Sequence, residues 1–224
     1  MNRLVTSAGA GLWLVAHLAF AAAPAAVVED VHGKVAGVEF MDYVAPGRVI
    51  VLGPKDGLVL GYLRSCWREA ITGGTVTVGE SQSVVWAGRV ERSLVACGGS
   101  RPQLGARDAT QSAATVFRSM QPRLPSAKQE VPVLHGRSPL VEIGAQRGRL
   151  VIERIDQLSE RVDLDVGGKG LVHGLFFDLA RVGVELTPGA TYSASLGTLT
   201  VEFDVARDAK PGPTPVIGRL LRFE

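Results

Sequence analysis

The sequence predicts a mostly-β chain, with a β-meander or barrel-like N-terminal domain, a C-terminal β-sandwich and one amphipathic helix between them. Short alternating apolar runs separated by glycine turns fill residues 27–104, the pattern of half-buried strands. Four prolines between residues 121 and 139 mark a stretch that favours extended chain. Residues 139–224 resume the strand pattern and contain an ordered Leu-x-Pro-Gly-x-x-Tyr run.

At 224 residues with 46% apolar composition, the chain is long enough for two modest cores and too apolar for disorder. A net charge of +2, with both signs spread along the chain, offers no basic stripe for nucleic acid. The expected partner is instead an envelope protein or a polysaccharide. The 19 arginines against five lysines fit base composition better than chemistry.

Residues 1–25 are expected to be a secretory signal peptide. Arg3 supplies positive charge, Ala8 to Ala23 an apolar core, and Ala23-Pro24-Ala25 small residues before a cleavage after Ala25. The expected location is therefore periplasmic or secreted. An uncleaved anchor over residues 8–28, held in the inner membrane, is the alternative, because the apolar stretch continues through Val28. No cysteine stands at the boundary for lipid attachment.

Cys66 and Cys97 are the chain's two cysteines. After export, one bridge is the simplest expectation, and closing a loop of about 31 residues stabilises a fold by roughly 3–4 kcal/mol in the chain-entropy model. In the cytosol the same pair would raise metal or redox chemistry.

Within the first domain, Val27 to Val35 begins as a strand and breaks at Gly33, and Val38 to Tyr43 is a short apolar segment ended by Ala45-Pro46-Gly47. Val49 to Leu52 reads as a strand buried on both faces and stopped by Gly53-Pro54. Lys55-Asp56-Gly57 reads as a turn, Leu58, Leu60 and Tyr62 alternate on one face, and Gly73-Gly74 precedes Thr75 to Val78 with its valines inward. Gly47-Arg48-Val49-Ile50, Asp56 to Leu60 and Gly74 to Val78 together resemble the periplasmic β-domain of FecR-type proteins. The resemblance implies the fold of an exported β-domain and an association with envelope signalling or scaffolding. Arg48, where that family usually has an acid, the added cysteine pair and the lack of a cytoplasmic segment before the apolar stretch separate the chain from the family's sigma-regulators.

Ala109, Ala113, Val116, Phe117 and Met120 form one stripe of a predicted helix over about residues 106–120. Residues 105–138 are expected to be helix and linker. Beyond them, residues 140–143, 149–155 and 161–166 are strand candidates, with a glycine turn at residues 167–170. Leu186, Pro188, Gly189 and Tyr192 resemble the tyrosine corner of immunoglobulin- and fibronectin-like sandwiches, which implies a tyrosine hydroxyl bonded to backbone a few residues upstream. Residues 216–223 are expected to add a closing edge strand.

Chemistry is sparse. His32, His135 and His173 stand alone, without a carboxylate or cysteine at a metal-ligand spacing. Asp163 and Asp165 flank Leu164 in a strand pattern rather than a calcium loop, and Gly168-Lys169-Gly170 lacks a phosphate-loop context. Ser65, His135 and Asp178 are one of many trios a fold could assemble. No cofactor, metal or catalytic residue is assigned. The expected function is a non-enzymatic, exported binding, scaffolding or sensory module. The alternatives are an envelope enzyme acting on cell wall or polysaccharide, which predicts a cleft with converging titratable groups, and a carbohydrate-binding module, which predicts exposed aromatics in a row drawn from Tyr43, Trp67 and Trp86.

Overall fold

A computed structural model describes residues 23–98, 131–156, 160–213 and 215–223. All but Ala23 of the expected signal-peptide core, and the expected helix over residues 106–120, lie outside them. The fold is mostly β, with curled sheets and, among the described residues, helical structure only as short 3-10 turns.

The N-terminal unit contains β1 (Ala26–His32), β2 (Tyr43–Val44), β3 (Val49–Tyr62), β4 (Trp67–Thr77), β5 (Val84–Trp86) and β6 (Arg89–Leu94). They form one antiparallel sheet in the order β2-β1-β3-β4, with β5 and β6 sharing the far side of β4. Turn-like residues inside β3 and β4 bend this sheet instead of ending its strands. Gly53 to Asp56 form a bulge within a single long β3, where Asp56 accepts hydrogen bonds from the backbone of Gly53 and Lys34. Opposite it, Gly73 and Gly74 have φ of 65° and 83°, and a Cβ on Gly74 would lie 2.4 Å from the Trp86 carbonyl oxygen. Only glycine fits there.

The bend folds the sheet over its own core, where Val28, Leu58, Leu60, Tyr62 and Ile71 meet Ile50, Leu52, Val76 and Val78. This arrangement overturns one expectation from the apolar run. Ile50 and Leu52 are buried, but Val49 and Val51 project outward, 55% and 68% exposed, because the fold covers only the inner face of this half of the sheet.

The C-terminal unit contains β7 (Val133–Gly136), β8 (Leu140–Glu142), β9 (Arg149–Arg154), β10 (Arg161–Asp165), β11 (Leu171–Val172), β12 (Phe176–Asp178), β13 (Thr191–Leu196), β14 (Leu199–Lys210) and β15 (Leu220–Arg222). Two sheets, ordered β10-β9-β13-β14-β7 and β11-β12-β8-β15, are built from them. Their facing chains, including Leu134, Leu150, Ile152, Ala194 and Phe203 against Val141, Phe177 and Leu221, fill one core. β7 lies in the proline-rich stretch read as linker: it pairs in parallel with β14, so extended chain there is used as an edge strand. The C-terminal β15 pairs in parallel with β8.

A third cluster joins the two units. Val27, Met41 and Leu63 pack with Leu140, Val172, Phe176, Ile217 and Leu220. Gly98, beyond the disulfide, accepts a backbone hydrogen bond from Val133 at the start of β7. At the other end of the first sheet, Ala25 donates to Val44 and accepts from Leu63, and it is 2% exposed. A chain trimmed after Ala25 begins on β1 and gives up both bonds.

Candidate functional site

Cys66 and Cys97 form a disulfide with Cα atoms 5.7 Å apart. It ties the β3–β4 turn to the strand exit that continues toward the second unit, and Cys97 packs against the apolar cluster between the units. The bond suggests an oxidising, extracytoplasmic compartment. No helix among the described residues is long and apolar enough to cross a membrane.

A cleft of about 670 Å³ opens where the units meet, lined by Glu29, Asp30, Phe40, Ser138, Asp178, Arg181, Glu185 and Arg219, among others. Its deepest charges are satisfied internally. Arg219, 1% exposed, makes a two-pronged contact with Asp178 at 2.7 and 3.1 Å and donates to the carbonyls of Pro213 and Ser138. Glu29, 2% exposed, accepts from Arg68 at 2.7 Å and from the backbone of Ile217 at 3.0 Å. At the rim, Asp30 meets His32, Glu185 meets Arg137, and Arg181 lies over the Phe40 ring. Such pairs offset the cost of burying each charge within its own unit, while the Glu29–Ile217 bond and the Arg181–Phe40 contact cross between the units. Ser65 donates to the Ser81 carbonyl, and none of Ser65, His135 and Asp178 is hydrogen-bonded to another of the three.

Three further polar groups are structural. Tyr192 accepts from the Thr187 backbone N–H at 2.9 Å and donates to Glu160 at 2.7 Å. Burial, helped by the Glu160 bond, pushes its hydroxyl up to about 12. Leu186 below it is fully buried, and Gly189 has φ 78°. In the first unit, buried Glu69 accepts from Arg92 and the Ser83 backbone, while Ser83 bonds the Tyr62 hydroxyl, which burial also pushes up. Between the units, Tyr43 donates to Glu142 and accepts from Arg222, and burial raises it furthest. Arg222 Nε lies 3.0 Å from the Glu142 carboxylate but off the hydrogen-bonding line, so the pair is held by charge at that atom.

Asp163 on β10 pairs with Arg149 at 2.8 Å. Among the described residues no group of three histidine, cysteine or carboxylate side chains is placed to hold a metal ion.

The feature that the sequence reading missed is on the outer face of the bent half-sheet. Cross-strand register aligns Val49 with Thr77 and Val84, and Val51 with Thr75 and Trp86. Val84 and Trp86 are 70% and 76% exposed, alongside the exposed Val49 and Val51. These six residues make an uncharged, largely apolar surface on three adjacent strands, and contiguous patches of this kind mark interaction sites. A signal was present: the Val49–Leu52 and Val84–Trp86 runs lack the polar alternation of one-sided strands, which fits two covered faces. The three aromatics considered for carbohydrate lie apart. Tyr43 is at the interface between units, Trp67 packs against the first core, and Trp86 is paired eight residues further along β4 from Trp67. No family model, curated protein or solved structure matches the chain.

Proposed function

We propose that this is an exported, non-enzymatic binding or scaffolding module of a bacterial envelope, which engages another envelope component through the outer face of its N-terminal sheet. The observation that carries this reading is the joint exposure of Val49, Val51, Val84 and Trp86 on a continuous sheet surface. Solvating four large apolar chains together is unfavourable, and covering them with a partner recovers that free energy. The apolar cluster between the units and the Tyr43–Glu142 and Glu29–Ile217 bonds across them support the reading in a second way, because they join the two units into one body that displays this face in a fixed orientation.

Site-specific photocrosslinking in intact cells tests it. A benzophenone side chain at position 86 should give a discrete adduct that is absent when the probe is at exposed Ala145 in the second unit. Equal labelling from both positions would count against a dedicated face.

A second reading, an envelope enzyme acting on polysaccharide, is favoured by the cleft and its carboxylates Glu29, Asp30, Asp178 and Glu185. On that reading, Asp30→Asn removes cell-wall hydrolysis while leaving the thermal midpoint in place. Absence of hydrolysis in the wild-type chain rejects it.

A further inference from the structure

The edge of this face offers a second contact beside the face itself, an inference that rests on the reading of the face as a docking surface. β5 is an edge strand: it pairs with β4 through Val84, Val85 and Trp86, and among the described residues no strand pairs with its other side. Unpaired edges of this kind are templates for another strand. Its inward side chain, Val85, packs against the first core, and its outward side chains are the exposed Val84 and Trp86. Exposed charges of opposite sign flank it, Glu80 four residues before the strand and Arg89 three residues after it. Neither makes an ion pair with the described residues.

An acid at one end of an edge strand and a base at the other are self-complementary when two copies run antiparallel. We propose that a second copy of this chain docks on β5, about a two-fold axis through Val85. In that arrangement Val84 of each copy lies opposite Trp86 of the other, an aromatic and β-branched cross-strand pair of the stabilising kind. Glu80 of each copy lies beside Arg89 of the other, once at each end. The rows Val49–Thr77–Val84 and Val51–Thr75–Trp86 then continue across the axis as one apolar face over six strands, which the edge pairing leaves open to the envelope component proposed above. The contact is isologous and closes at two subunits. Its strand is short, so the association falls in the weak class of interfaces, with micromolar dissociation.

Sedimentation equilibrium of the purified full chain, with its disulfide formed, should show monomer passing to dimer as concentration rises through the micromolar range. Glu80→Arg alone and Arg89→Glu alone should each weaken dimerisation by about tenfold or more, since symmetry turns two attractions into two repulsions. Mixing these two variants should restore dimer, because each copy then presents the charge that the other lacks. The double variant carrying both substitutions should also dimerise. Trp86→Ser should leave a monomer of unchanged circular dichroism. A wild-type chain that stays monomeric to several hundred micromolar overturns the proposal and leaves the face to a different protein or to residues 99–130. A dimer indifferent to the charge variants, or unrescued by mixing, overturns it equally. A position-86 crosslink to another protein, with a monomeric purified chain, would refute the self-association while sustaining the docking face.

Discussion

Arg219 has a side chain with nowhere to go but into the fold: three of its nitrogens are committed to Asp178, Ser138 and Pro213, and it is 1% exposed. Removing only one partner strands a buried charge. Asp178→Ala should therefore lower the unfolding free energy by about 3–5 kcal/mol in urea titration, and Asp178→Ala with Arg219→Met should recover part of that loss. Tyr192 poses the corresponding question for a neutral group. Tyr192→Phe leaves the Thr187 N–H with only its longer 3.4 Å contact to Glu160 and should cost about 0.5–1.5 kcal/mol. The tyrosines also set a pH limit. Tyr192 is pushed to about 12, and Tyr62 and Tyr43 are raised as well, all mainly by burial. An unfolded chain releases these protons near pH 10 while the folded chain retains them, so their stabilisation is complete below pH 10 and is lost as pH climbs toward 12. The denaturation midpoint should fall steeply over that interval, and absorbance near 295 nm should show tyrosinate appearing at higher pH in the folded protein than in the unfolded chain.

At the scale of elements, the disulfide acts on the β3–β4 turn and on the exit from β6, two places separated by 31 residues. Cys66→Ser with Cys97→Ser should lower stability by about 3–4 kcal/mol, measured by urea unfolding of the purified chain. A loss well below about 1 kcal/mol would mean that the β4–β6 ladder alone holds this end of the sheet. The same element carries the buried Glu69–Arg92–Ser83 network, which pins the polar loop before β5 and so fixes the edge strand on which the docking face depends.

For the whole molecule the decisive contact is between units. Gly61 faces Ile217, and a Cβ there would approach the Ile217 methyl at 2.6 Å and the Glu29 carboxylate at 2.7 Å. Gly61→Ala should thus push the units apart while leaving each core in place. Calorimetry should then resolve two transitions where the wild-type chain shows one, and a single unshifted transition would mean that the interface yields without cost.

Alternation alone located most strands, because a one-sided sheet imposes period two on its residues. It placed Leu58, Leu60, Tyr62, Val76 and Val78 in the core, where they are found. That Cys66 and Cys97 are the chain's two cysteines, read with the expected export, likewise pointed to the bridge that is found. Other features could not be read locally. Gly53 to Asp56 and Gly73-Gly74 have the composition of chain reversals, yet they bend continuous strands, because what they do depends on the strand opposite. Val133 to Gly136 became a strand only through β14, more than sixty residues away in sequence. The buried arginine pairs and the cleft are likewise products of long-range packing. The sequence by itself determined a mostly-β chain with two cysteines suited to a bridge, since these follow from local periodicity and residue type. Tertiary structure decided which apolar runs would be covered: burial depends on what packs above a strand, and nothing among the described residues packs above Val49, Val51, Val84 and Trp86 closely enough to bury them.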